Sequence, residues 1–241
     1  MIPKIIHTTW KNKNIPDEWK ESHDSCRKLN EGYTHILWTH DDMDNFVKKE
    51  YPNMYDIYKS YEYHIQRCDA FRYMVLYTYG GIYIDLDIGC KKRLDDLLNN
   101  TLLLVKSQNV SSSFTNSFMM VKEKHEFMKY CIDNLKLHSN SLKFLGKHFH
   151  IMNSTGPSFL SKMVHEFIPV DLNILSKEDF SGKCNVCTYD TCTGGNYFFH
   201  IDGRSWNSID SVILNFVICK KQYIFLVLLF SISFIFFLNK Y

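Results

Sequence analysis

Neither sign of charge dominates this chain: 28 Lys and Arg stand against 26 Asp and Glu over 241 residues, a formal charge of +2. No net field marks a nucleic-acid binder, and charge says little about partners. An apolar leader is also missing, because Met1–Trp10 carries Pro3, Lys4 and His7 and reads as a short strand rather than a secretory signal. No internal repeat or low-complexity tract interrupts the chain, so its length bounds it at one α/β domain with a large core and a short appendage. The eight cysteines lack the spacing of a disulfide framework, since Cys26, Cys68, Cys90, Cys131 and Cys219 are scattered through predicted core and helix segments. Cys184, Cys187 and Cys192 do cluster. His200 is the only nearby fourth ligand, which favours a loop thiol or disulfide over zinc.

Aromatic residues are plentiful (18 Phe, 15 Tyr, 4 Trp), and several stand beside polar clusters, which suits a ligand cleft as well as an ordinary core. Asn99, Asn109 and Asn153 each begin an Asn-x-Ser/Thr sequon, relevant if the domain faces a secretory lumen. From Tyr223 to Leu238 there is no charge, and Lys220, Lys221 and Lys240 bracket the run. At the helical rise these residues span about 24 Å of a hydrocarbon core about 30 Å thick. Apolar residues cover every face, so a membrane span is favoured over a buried core helix. The expected division is a catalytic domain over 1–217 and an anchor over 218–241.

Strands are predicted at Lys4–Thr8, His35–Thr39, Ile82–Ile88, Leu102–Lys106, Ser117–Val121 and Asn196–His200. Helices are predicted at Asp17–Leu29, Asp41–Glu50, Ile65–Tyr79, Leu94–Leu98 and His125–Leu137, with another beginning at Pro157 and a loop over Ser176–Gly195. This alternation is the pattern of an α/β domain. At helical spacing Ile65, Cys68, Asp69, Arg72, Val75, Leu76 and Tyr79 share one face. Asp69 and Arg72 therefore sit within an apolar stripe, either as an ion pair locking the helix to the sheet or as the border of a cleft that binds an anionic ligand.

The strand that follows Gly80-Gly81 tips the balance toward the ligand. Alternation sends Ile82, Ile84, Leu86 and Ile88 to one face and Tyr83, Asp85 and Asp87 to the other, with the carboxylates about 6–7 Å apart. That spacing lets both share one hydrated divalent cation set against a diphosphate. A phosphohydrolase of the haloacid-dehalogenase type is the enzymatic rival, but its nucleophilic Asp-x-Asp normally opens the domain and needs a later acidic pair. The non-enzymatic rival is a membrane-tethered adaptor with a surface acid pair.

With these residues in view, the chain resembles the Asp-x-Asp-containing glycosyltransferases of GT-A fold, in the branch of inositol-phosphoceramide mannosyltransferases and α-1,6-mannosyltransferases. The matching pieces are Ile2-Pro3-Lys4-Ile5-Ile6-His7-Thr8-Thr9-Trp10, Ile65-Gln66-Arg67-Cys68-Asp69-Ala70-Phe71-Arg72-Tyr73 and Tyr79-Gly80-Gly81-Ile82-Tyr83-Ile84-Asp85-Leu86-Asp87. Ser154-Thr155-Gly156-Pro157 and His200-x4-Ser205-Trp206 look like the same branch. The resemblance implies that Trp10 stacks on a nucleotide base, that Asp69, Arg72 and Tyr83 hold the donor, and that Ser205 and Trp206 close over the diphosphate. Asp85 would meet the ribose and the metal's water shell, Asp87 would ligate Mn2+ or Mg2+ directly, and His200 would be a further ligand.

The implied reaction moves a hexose, favouring mannose from GDP-mannose, to a lipid or glycan hydroxyl such as that of inositol phosphoceramide, with retention at the anomeric carbon. The implied setting is a single-pass protein of Golgi or other endomembranes. Lys220 and Lys221 against Lys240 would by the positive-inside rule keep the catalytic part in the cytoplasm, whereas the fungal enzymes of this family work in the lumen. The chain departs from those enzymes in being compact and in lacking an N-terminal membrane segment.

Overall fold

The computed structural model describes residues 1–107, 113–182, 194–201, 203 and 206–221. Among them a six-stranded sheet is built from β1 (Ile5–Thr9), β2 (Thr34–Trp38), β3 (Gly81–Ile84), β5 (Leu102–Lys106), β6 (Phe114–Val121) and β7 (Leu172–Leu175), in the order β2-β1-β3-β6-β5-β7. β1 runs parallel to β2 and β3, β6 runs antiparallel to β3 and β5, and β7 is parallel to β5. A separate antiparallel ribbon pairs β4 (Ile88–Cys90) with β8 (Phe198–His200). The helices are α1 (Asp17–Leu29), α2 (His40–Glu50), α3 (Tyr55–Ser60), α4 (His64–Tyr79), α5 (Glu126–His138), α6 (Lys147–Ser154), α7 (Pro157–Phe167) and α8 (Lys177–Phe180), and residues 209–221 are also helical. This is the expected mixed α/β architecture around a central sheet.

Local chemistry explains most boundaries. α1 opens on Asp17 and Glu18 and closes on Arg27 and Lys28, charges that complement its dipole. α2 starts at His40, one residue before the expected Asp41, because Thr39 accepts from the Asp42 N–H while Asp42 accepts from the Thr39 N–H, a reciprocal capping box. Two-residue alternation then sorts the sheet. Tyr83, Leu102, Leu104, Met119 and Val121 join one apolar cluster with α2, α3, α4, α5 and α7. Ile82, Ile84, Leu103, Val105, Phe118 and Met120 join another with Cys26, Ile88, Phe180 and Phe198. Because both faces are covered, α4 is buried around most of its circumference: Gln66, Ala70, Phe71, Tyr73 and Met74 are buried alongside Asp69, Arg72, Val75 and Leu76, whereas Tyr79 is exposed. The single apolar stripe expected of this helix is therefore too narrow a description.

Two further expectations need correction. The strand predicted over Ile82–Ile88 stops at Ile84, because the last sheet bond runs from the Asp85 N–H to the Ser117 carbonyl and the Ile88 N–H then turns back to the Asp85 carbonyl at 3.1 Å. Asp85 and Asp87 thus flank a turn, and strand alternation does not govern them. Cys26 and Cys90, expected to be unpaired, form a disulfide with Cα atoms 4.7 Å apart, and Cys219 is disulfide-bonded as well. Cys68 and Cys131 remain thiols. Cys184, Cys187, Cys192 and the apolar run 223–238 lie outside the described residues, and no helix within them is long and apolar enough to cross a membrane.

The entry into β3 is set by Gly80 and Gly81, at φ +63° and +96°. A Cβ at Gly81 would fall 2.5 Å from the Ile5 carbonyl oxygen, so only glycine lets α4 run straight into the strand beside β1. His7 secures this corner. Its Nδ1 accepts from Trp38 Nε1 at 3.1 Å, which leaves Nε2–H to donate to the Gly80 carbonyl at 3.0 Å. Burial pushes its pKa from 6.5 down to about 4, so the folded state holds it neutral. Below pH 6.5 the unfolded chain binds a proton that the folded chain refuses, and stability falls until the pH passes about 4. His7 should therefore account for a loss of about 3 kcal/mol across that window. Urea titrations of His7→Asn against the parent check this; the variant should show a shallower pH slope by about one proton, and an unchanged slope would contradict it.

Candidate active site

β1, β2 and β3 are parallel, and the chain leaves β1 toward β2 on one side and returns by β3 on the other. Ligands of open α/β sheets bind outside the carboxyl ends of strands at such a reversal. A cleft of about 660 Å³ lies there. Its wall includes Trp10 after β1, His40 after β2, Asp85 and Asp87 after β3, and Asn116 from the adjoining end of β6.

A guanidinium organises the floor. Arg72 is 2% exposed; its Nη2 lies 3.0 Å from Asp69 Oδ1 and 3.5 Å from Asp85 Oδ1, and its Nη1 donates to the Asn116 carbonyl at 2.6 Å. Its plane rests over the Tyr83 ring at 4.4 Å. Asp69 is equally enclosed and also accepts from Asn116 Nδ2 at 2.9 Å and Thr155 Oγ1 at 3.1 Å. Burial pushes the Asp69 carboxyl up to about 6, against the pull of Arg72. The two meanings open for this pair merge: it locks α4 to the sheet and also lines the cleft. Tyr83 lies beneath rather than in the cleft. Its hydroxyl donates to Asp85 Oδ1 at 2.9 Å and accepts from Thr9 Oγ1 at 2.8 Å, so it orients Asp85 from below.

The acid turn is held from the other side by α1. Ser22 Oγ donates to the Leu86 carbonyl, Ser25 Oγ accepts from the Cys90 N–H at 2.9 Å, and Cys26 is bonded to Cys90. Residues 22, 25 and 26 share a helical face, so one stripe of α1 grips the chain at Leu86 and Cys90, on either side of Asp87. Gly203 packs so close to Asp87 that a Cβ there would collide with the carboxylate. One guanidinium against three carboxylates leaves the floor anionic, and hard oxygen donors of this kind suit Mg2+ or Mn2+.

The remaining expected residues divide. Trp10 lines the cleft, its ring edge-on to Trp19 at 4.8 Å, with its buried indole N–H unpaired among the described residues. Trp206 lines it too, stacked on His148 at 5.4 Å. His200, expected as a metal ligand, pairs with Ile88 just after the acid turn, but its side chain turns away: its ring lies edge-on to Phe180, with Nε2 at 3.2 Å from the Phe180 carbonyl, and it does not line the cleft. On β8 it follows the alternation that turns Phe198 into the core. Among the described residues no third His, Cys, Asp or Glu joins the two aspartates in a metal-sized group. Ser205 lies outside the described residues.

Comparison with known proteins agrees with this geometry. Residues 16–104 match the family described as "glycosyltransferase sugar-binding region containing DXD motif". An uncharacterized glycosyltransferase of Acanthamoeba polyphaga mimivirus is 30% identical over 86% of this chain and 84% of its own length. The chain belongs to the DXD glycosyltransferases. A mannosyl phosphorylinositol ceramide synthase of Saccharomyces cerevisiae is 38% identical over 88% of this chain, which spans 54% of that relative's length. The ligand-free glycosyltransferase domain of the YGT toxin has the same fold, with a TM-score of 0.53 at 10% identity over 72% of this chain and 80% of that one.

The DXD aspartates of this glycosyltransferase depend on partners that sequence reasoning does not place at the site: Asn116, Ser22 and Ser25 carry no local signal, and Thr155 enters only within the Ser154-Thr155-Gly156-Pro157 match. Arg72→Lys keeps the charge but loses the fork shared among Asp69, Asp85 and the Asn116 carbonyl. Denaturant unfolding should show a loss of about 2–4 kcal/mol, and turnover of sugar nucleotide should fall at least about tenfold. Stability and turnover both at the parent level would contradict the network.

Proposed function

We propose that this chain transfers mannose from GDP-mannose to an inositol-phosphate-bearing ceramide, with a divalent ion and retention at the anomeric carbon. The observation that carries the reading is the clamped Asp85–Asp87 turn beside Arg72 in the cleft, in a chain alike over most of its length to a mannosyl phosphorylinositol ceramide synthase. Asp87 would ligate Mn2+ or Mg2+ directly and Asp85 through its water shell. The ion, when bound, would neutralise charge developing on the departing diphosphate.

The chain's own groups do the rest. Trp10 offers a flat face to the nucleotide base, and Trp206, which also lines the cleft, covers the diphosphate. Arg72 reinforces the floor at the point where negative charge accumulates, and because it is already buried and fixed it needs no reorganisation during transfer. Tyr83 and Thr9 keep Asp85 aligned. The Cys26–Cys90 disulfide supports a catalytic domain facing an oxidising lumen, since such bonds persist there and are rare in the cytosol. That favours the lumenal topology over the one suggested by Lys220 and Lys221, with 223–238 as the anchor.

The test offers Mn2+ and GDP-mannose, UDP-glucose or UDP-galactose to the full chain with vesicles containing inositol phosphoceramide. GDP-mannose should yield mannosylated lipid, and Asp87→Asn should lower transfer at least about 100-fold, equivalent to about 2.7 kcal/mol, with the fold intact by circular dichroism. Transfer by Asp87→Asn at the parent rate would overturn the metal role, and transfer from a different donor alone would overturn the sugar.

A further inference from the structure

The helix over residues 209–221 is inverted with respect to water. Ile209, Val212, Ile213, Phe216 and Val217 recur at the spacing of one helical face, and that face is open: Ile209 is 79% and Phe216 59% exposed. The polar residues turn inward instead. Asp210 Oδ2 accepts from the His148 N–H at 2.6 Å, and the buried Ser211 Oγ meets His148 Nδ1 at 2.9 Å. Asp210 is the sole acid of the segment and is consumed in this joint, whereas Lys220 and Lys221 at the far end are exposed.

The same joint places a second apolar element alongside. Gly146 abuts Asp210, and the short turn Lys143–Leu145 just before it leaves Phe144 84% exposed and Leu145 open. The next residue in the chain belongs to the cleft: Lys147 lines it, and its Nζ donates to the carbonyl of Trp206, which lines it too. The exposed apolar surface therefore borders the active-site mouth. Exposed apolar side chains gathered on one helical face and on a neighbouring turn mark an interaction site.

We infer that residues 209–221 and the turn 143–145 rest together on a lipid bilayer, apolar side chains in the headgroup and acyl boundary, so that the cleft opens at the membrane surface. Three features select lipid as the occupant. The helical face carries no acid and the one acid beside the turn, Glu62, is paired with Lys143; the lysines at the helix end match anionic headgroups, and the sequence beyond continues without charge from Tyr223 to Leu238. The inference rests on the lipid acceptor proposed above, but its readout does not use transfer.

A photoreactive benzoylphenylalanine placed at position 144, 213 or 216 of the full chain reports contact directly. The chain is reconstituted in vesicles of phosphatidylcholine and phosphatidylserine, with positions 137 and 170, exposed apolar sites outside this surface, as controls. Irradiation should yield phospholipid adducts at 144, 213 and 216 at least about tenfold above the controls. Equal yields at all positions, or adducts at 144 and 216 only to a second copy or another protein, would overturn the surface. Ile213→Ser with Phe216→Ser should lower transfer to vesicle lipid severalfold while donor hydrolysis stays at the parent rate; undiminished transfer would count against it. Lipid adducts without any transfer would sustain the surface and overturn the acceptor instead.

Discussion

A guanidinium enclosed between two carboxylates is the point on which this structure turns. Arg72 reaches from α4 to the end of β3 and to the β6 backbone, so a single side chain ties the central helix to two neighbouring strands. Burying such a charge is costly unless its hydrogen bonds are made, and removing one partner of a buried pair costs about 3–5 kcal/mol. Here Asn116 and Thr155 satisfy the remaining valences of Asp69, and Tyr83 lies under the guanidinium. What stabilises the joint also presents Asp85 to the cleft at a defined height.

The acid turn is fixed twice over, from the sheet side by this network and from the opposite side by α1. Turns exposed at strand ends ordinarily move, and a pair of carboxylates on a loose turn repel each other apart. Ser22, Ser25 and the Cys26–Cys90 bond remove that freedom, holding the turn at Leu86 and Cys90 on either side of Asp87. An acid pair held in place before a ligand arrives has less ordering left to do when one binds, which is the general value of preorganisation.

Much of this frame was legible before any coordinates. The bounds of α1 and the Gly80-Gly81 stop after α4 fall within a residue of those read from sequence, because each depends on chemistry adjacent in sequence, such as the charges at the ends of α1. Ile82–Ile88 was overextended for an instructive reason: its alternation is genuine, but Ile88 alternates within a different sheet, and hydrophobic period does not say which partner a strand has. Asp69 and Arg72 could be paired from their spacing, whereas Asn116 and Thr155, 47 and 86 residues beyond Asp69, could not. Which of the eight cysteines pair is equally invisible without contact information. His200 shows the converse, a residue whose type and motif suggested a ligand until its strand register turned it to Phe180.

The central claim is that the clamped turn exists to hold a divalent ion against a diphosphate. Titrating Mn2+ into the protein and following the free-ion electron paramagnetic resonance signal tests it directly, with and without GDP. The account predicts uptake of a single ion per chain when GDP is present, and its loss when Asp85→Asn and Asp87→Asn are combined. Failure to take up Mn2+ with GDP, or uptake that survives the loss of both carboxylates, would contradict it.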